Sequence, residues 1–310
     1  MNAEKIHRLL LTNRLLLTLF VVAFAAVRLY PFDSRLENPS LWACLLIQIG
    51  IAFFLLQLNH IFNIIQKRTF LPALFYLLLI GCNPAFYYNL KGSLAALCLA
   101  LCYFFLFNSF QKPKSQLNAL NISLLLVLGS LLWPPLLFFF PVFWQGFYRF
   151  RCLNARVFFA NLLGFVVVYL FIFAWSVYKE DINLFLSLLP QADKLFVFHK
   201  PDITVLEWIE SGFLLVIYLV IGIYLFFYNI SERVWTISIL SYFYFSALFI
   251  FILSFFQNEY KSAWELVFYI PIAFLTGHFF SRSNNRAIHY LLLLFILFFI
   301  GTDIVRYIGT

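Results

Sequence analysis

Long apolar runs decide what this chain can fold into. Crossing about 30 Å of hydrocarbon takes roughly 20 mostly apolar residues as a helix. Stretches of that length occur at 11–28, 41–62, 156–175, 212–228, 234–256 and 287–304. Five shorter ones, at 69–82, 91–109, 118–132, 136–148 and 266–280, bring the expectation to eleven crossings. A lipid-facing barrel would alternate apolar and polar residues, and Leu124-Leu-Leu-Val-Leu128 and Phe138-Phe-Phe140 do not. The predicted fold class is therefore all-α, a polytopic transmembrane helical bundle. Composition adds the exclusion of a soluble domain: 64% hydrophobic and 11% charged residues leave too few charges to clothe so much apolar surface. The 43 Phe and 17 Tyr exclude disorder.

The net charge of +8 reads as a topology signal once it is divided among the loops. With the N-terminus inside, the cytoplasmic segments hold Lys5, Arg8, Arg14, Lys67, Arg68, Lys112, Lys114, Arg149, Arg151, Arg156, Arg233, Arg282 and Arg286 against Glu4 and Glu232, a net +11. The outer segments carry −3. An N-in, C-out order is predicted, and the excess charge gives no reason to invoke nucleic acid. Arg8 and Arg14 ahead of the first apolar run imitate a signal peptide, but ten further spans favour a retained anchor. Cys98 and Cys102 share a helical face without a His or acid cluster and read as buried small hydrophobes, so no disulfide framework is implied.

Nucleotide, dinucleotide and zinc-hydrolase motifs are absent from the sequence, as is GxxxG. The spans carry almost no mid-membrane ionisable residue, which disfavours an ion-coupled transporter. His60 and His278 fall near inner helix ends and read as polar interface residues.

Polar chemistry concentrates in two outer loops. The first, 28–39, sets Asp33 and Glu37 beside Arg28 and Arg35. A carboxylate there suits a base for an incoming hydroxyl or amine, and the arginines suit a phosphate leaving group. The alternative is an ordinary charged connector whose Arg28 snorkels. The second, 176–211, contains an interfacial-helix candidate at 182–189, then Lys194, His199 and Lys200, then Asp202, Glu207, Trp208 and Glu210. Its bases either hold a lipid-linked phosphate or pair with the acids around them. Between these loops, short helices meet proline breaks at Asn83-Pro84 and Trp133-Pro134-Pro135. Such breaks leave an outward depression or, alternatively, close as tight hairpins.

This layout resembles the polytopic glycosyltransferases of the GT-C superfamily. The likeness runs through Pro31-Phe32-Asp33, the Asn83-Pro84 break, and Leu126–Arg156 with Gly129, Trp133-Pro134-Pro135, Pro141, Arg149, Arg151 and Arg156. Ser34 stands where protein mannosyltransferases carry a second acid, and no counterpart of their C-terminal soluble domain is expected. The resemblance implies a GT-C-like module over 1–211 and a C-terminal four-span bundle over 212–310. It implies a transferase that takes a sugar from a polyprenyl-phosphate carrier to an extracytoplasmic acceptor. Asp33 would be the base, Glu37 its substitute or a ligand for a divalent metal, and Arg28, Arg35, Lys194, His199 and Lys200 the groups facing the leaving phosphate. The partners implied are membrane lipid and the polyprenyl-linked sugar. A non-enzymatic membrane scaffold with protein partners and a lipid or solute transporter are the alternatives. Leu58-Asn-His-Ile-Phe-Asn63 followed by Lys67-Arg68 also resembles a group of Bacteroidota inner-membrane proteins with no assigned activity, which implies a multi-pass cell inner-membrane location.

Overall fold

The computed structural model describes residues 14–29, 38–65, 69–81, 83–189, 204–227, 233–257, 261–282 and 286–309. Among them every regular element is helical. In chain order these are α1 (Arg14–Leu29), α2 (Pro39–Phe62), α3 (Leu71–Gly81), a 3₁₀ turn (Pro84–Phe86), α4 (Leu90–Asn108), α5 (Gln116–Leu132), a second 3₁₀ segment (Pro134–Phe138), α6 (Phe139–Arg149), α7 (Ala155–Tyr178), α8 (Ile182–Leu188), α9 (Val205–Phe227), α10 (Val234–Phe256), α11 (Lys261–Arg282) and α12 (Arg286–Gly309). Each of the eleven apolar stretches coincides with a helix, and the interfacial candidate is α8. Seven helices (α2, α4, α7 and α9 to α12) are long and apolar enough to cross a membrane.

Local chemistry sets several of the ends. Asn38 accepts a hydrogen bond from the Ser40 amide at 3.2 Å ahead of Pro39, and the chain leaves α2 through Asn63 at φ 46°. Asn154 caps α7 by accepting from the Val157 amide at 2.8 Å, and Asp181 opens α8 by accepting from the Asn183 amide at 3.1 Å. These side chains satisfy amides that the first helical turn leaves without partners.

The chain divides into two compact units, one of residues 1–93 with 200–310 and the other of residues 94–199. Within the first unit α11 and α12 pack on α3, while α9 and α10 pack on each other and on α11. At the centre of that unit lie α3 and α11. Every residue from Leu71 to Ile80 is buried, and so is 94% of the apolar window of α11. Eleven residues make about 16 Å of helix, too short to span, and α3 is tolerated because neighbouring helices enclose it. Phe75 contacts Phe280 and Phe295 at centroid distances of 5.5 and 5.2 Å, while Phe243 stacks on Phe274 at 5.0 Å. The Asn83-Pro84 break is packed: Phe86 is fully buried, meets Tyr269 at 5.8 Å, and its carbonyl accepts from Gln48 Nε2 at 3.3 Å.

The second unit is organised by α5 against α7. The buried positions of α7 (Val157, Asn161, Gly164, Val168, Tyr169 and Ser176) form one stripe, its first four members three or four residues apart. The opposite side exposes Phe159, Leu163, Val166, Leu170 and Phe171, the surface for lipid. A Cβ added at Gly164 would sit 2.4 Å from Ser123 Oγ and 3.1 Å from the Leu120 carbonyl, so the missing side chain is what lets the helices approach. The Trp133–Pro135 break is packed too, with Trp133, Pro135 and Leu136 buried. Phe185 of α8 meets Phe173 of α7 at 5.4 Å, fastening the short helix to the long one.

Gly164→Ala is expected to lower the thermal midpoint of the detergent-solubilised protein, since overpacking costs about 1–3 kcal/mol. Gly212→Ala, where nothing lies within 4 Å, is expected to leave it unchanged or raise it slightly. Equal midpoints for the two variants would contradict the close packing at Gly164.

Candidate functional site

Of the residues singled out for chemistry, Arg28 lies in the last turn of α1, with only its backbone described. Asp33, Arg35, Glu37, Lys194, His199 and Lys200 lie outside the described residues. What the described residues bring together is a different constellation, at one end of the first unit.

Its members come from the starts of α9 and α11 and the last turn of α12. Lys261 Nζ donates to Glu207 Oε2 at 2.6 Å, and Arg306 Nη2 donates to Glu210 Oε2 at 2.5 Å. The second pair is the more enclosed, each side chain being 12% exposed. Glu265, partly buried one turn below Lys261, lies in the electrostatic field of all four. Three carboxylates thus face two cations. The other oxygen of Glu210 is buried with no hydrogen-bond partner among the described residues, the nearby Thr302 hydroxyl donating instead to the Phe299 carbonyl at 3.0 Å. Glu207 also closes a capping box, its Oε2 accepting from the Thr204 amide at 3.1 Å while its own amide donates to Thr204 Oγ1 at 3.4 Å.

Other contacts define the same end. Asn89 Nδ2, just ahead of α4, donates to Ser262 Oγ at 2.8 Å, and Trp264 Nε1 donates to Gln257 Oε1 at 3.1 Å. At the opposite end, Trp235 Nε1 at the start of α10 donates to the carbonyl of Phe62 at the close of α2, 2.8 Å away. These pairings match the up-and-down alternation expected from the sequence, in which the loop-charge bias predicts the Glu207–Lys261 end to be the outer one.

Below that end, α9, α10 and α11 line an apolar cavity of about 240 Å³, bordered by Leu214, Tyr218, Ala247, Phe251 and Phe268. Tyr218 stacks on Tyr244 at 4.2 Å and donates to its backbone carbonyl at 2.9 Å. One turn below Glu265, α11 carries Tyr269, whose ring meets Phe86 at 5.8 Å. The helix continues through buried Leu266, Val267, Phe268, Ile270, Ile272 and Phe274, and its Thr276 hydroxyl is spent on the Ile272 carbonyl at 2.8 Å. His278 is buried in the far part of α11, whereas His60 is exposed on α2. Among the described residues no group of three His, Cys, Asp or Glu is arranged to hold a metal ion. Cys44, Cys102 and Cys152 are buried. Burial pushes the Cys152 thiol up to about 11, so it stays protonated and unreactive near neutrality.

The charge cluster was not legible as a site because apolar windows trim helix ends. The windows begin at 212 and 266 and end at 304, while the helices begin at Val205 and Lys261 and run to Gly309. Glu207, Glu210, Lys261, Glu265 and Arg306 all stand on the trimmed turns. Two signals point to them: Thr204-x-x-Glu207 as a helix start, and Lys261-x-x-x-Glu265 at one-turn spacing. The tertiary partner of each carboxylate has no sequence signal.

No known protein family, curated protein or solved structure matches the chain.

Proposed function

We propose that this multi-pass membrane protein is a GT-C-like transferase, moving a sugar from a polyprenyl-phosphate carrier to an acceptor at the outer face of the cell inner membrane. The observation that supports this reading is the helix order. α1 and α2 flank the Asp33 segment, a short enclosed helix ends at Asn83-Pro84, a second pair turns at Trp133–Pro135, and α8 interrupts the connection between two spans. In this scheme Asp33 takes the acceptor proton, with Glu37 as its substitute or as a ligand for a divalent metal. Arg28, Arg35, Lys194, His199 and Lys200 neutralise the phosphate as charge develops on it. The pairing of Glu207 with Lys261 and of Glu210 with Arg306 assigns those four to holding helix ends together. The test is turnover of labelled polyprenyl-linked sugars by the purified full chain, beside its Asp33→Asn variant.

A non-enzymatic scaffold is the second reading. It is favoured by the mutual pairing of the described outer-end charges and by the broad apolar faces of α7 and α9. It is distinguished by copurification of a fixed membrane partner that survives loss of both Asp33 and Glu37 carboxylates.

A further inference from the structure

We propose that the inner end of the second unit is a binding platform for the phosphate headgroups of acidic phospholipids. Between Glu37 and Glu180 the chain contains no Asp or Glu. The α4–α5 and α6–α7 loops and the helix ends that flank them carry Lys112, Lys114, Arg149, Arg151 and Arg156. Glu180 and Asp181 follow the far end of α7, a 24-residue helix about 36 Å long. At that distance, several Debye lengths at physiological salt, they do not neutralise the loop bases.

The loops are fastened into one surface. The Gln111 amide donates to the Phe150 carbonyl at 3.1 Å, and Asn154 Nδ2 donates to the Pro113 carbonyl at 3.0 Å. Phe110 and Phe150 meet edge to face at 5.4 Å beneath them. Gln111 and Arg151 both take left-handed backbone conformations, at φ 53° and 55°, which single non-glycine residues adopt at a cost. A topology signal needs only positive charge near the span ends. It needs neither bonded loops nor the gathering of five cations on one surface. The starts of α5 and α7 add to the field, since neither has an acid in its first turn.

The chemistry of the surroundings selects an amphiphile. Lys112, Lys114, Arg151 and Arg156 are exposed, and beside them Tyr148 and Leu117 are 75% and 77% exposed. A phosphate diester attached to acyl chains satisfies both the cations and this apolar border, whereas a free anion, nucleic acid or acidic peptide satisfies only the cations.

The full-length protein in phosphatidylcholine nanodiscs with and without phosphatidylglycerol tests the proposal. Native mass spectrometry counts retained lipid, and the thermal midpoint is read in parallel. Wild type is expected to retain phosphatidylglycerol and gain stability from it. Lys112→Gln, Lys114→Gln, Arg151→Gln and Arg156→Gln together should cut retention by roughly tenfold or more, given the attraction of each base to an anionic surface. The charge-keeping exchange of the same four (Lys to Arg, Arg to Lys) should preserve it. Removing four inner bases elsewhere, at Lys67, Arg68, Arg282 and Arg286, should also leave retention intact. Equal loss in the two neutralised variants, loss in the charge-keeping one, or equal stabilisation of wild type by inorganic phosphate, an oligonucleotide or an acidic peptide would overturn it.

Discussion

Asp33→Asn is expected to lower turnover of a polyprenyl-linked sugar by roughly 10²–10⁴-fold, the contribution usual for a positioned general base. The substitution keeps the shape and most hydrogen bonds of the side chain while removing its capacity to accept a proton. In the proposed scheme the basic residues of both outer loops hold the carrier, so its binding is expected to stay close to wild type and the loss to fall on kcat. Yield and protease accessibility of the loops serve as controls, because the outer segments already carry −3 and losing one acid leaves the inside-positive bias intact. Glu37→Gln separates the two carboxylates: a loss smaller than that of Asp33→Asn assigns proton transfer to Asp33. Full turnover in Asp33→Asn removes the transferase mechanism, and full turnover in the double variant leaves neither carboxylate with a role.

Arg306→Ala is the substitution with the largest expected effect on stability. Arg306 and Glu210 are each 12% exposed, and the second carboxylate oxygen of Glu210 has no hydrogen-bond partner among the described residues. Deleting the guanidinium strands a nearly enclosed carboxylate beside Glu207 and Glu265. Breaking a buried pair from one side costs about 3–5 kcal/mol, whereas replacing both partners by apolar residues of similar volume is near neutral or stabilising. The expected order in a thermal or detergent-denaturation series is therefore Arg306→Ala well below wild type, and Arg306→Met with Glu210→Met close to it. A double variant as unstable as the single one would show that Arg306 acts through its other contacts instead. Lys261→Ala is expected to cost less, because Lys261 and Glu207 are 18% and 26% exposed and water screens what remains.

The helices were readable far better than the site. Apolar runs report burial in lipid or protein along one segment, and the hydrophobic effect acts on each segment wherever its neighbours lie. That is why α3, only eleven residues long, and α8, only seven, were both anticipated. Hydropathy does not say which segments are enclosed. α11 and α3 are buried on all sides while α7 and α9 show lipid an open face, although α9 and α3 read as equally apolar runs. Windows also stop where charges begin, so the turns bearing Glu207, Glu210, Lys261, Glu265 and Arg306 read as loop.

Sequence by itself determined the lipid solvent, the helical class and where the helices lie along the chain, and its loop charges carry the expected direction. Each of these depends on free energies summed within a segment: about 20 apolar side chains in hydrocarbon, or a cluster of bases that resists translocation. Tertiary structure alone decided that α11 and α12 pack on α3 and that Glu210 meets Arg306 across 96 positions. It also decided that the α4–α5 and α6–α7 loops close into one basic surface. Those outcomes depend on which side chains fit within a few ångströms of one another, such as the vacancy at Gly164 that admits Ser123, and contacts between segments distant in sequence leave no periodicity to read.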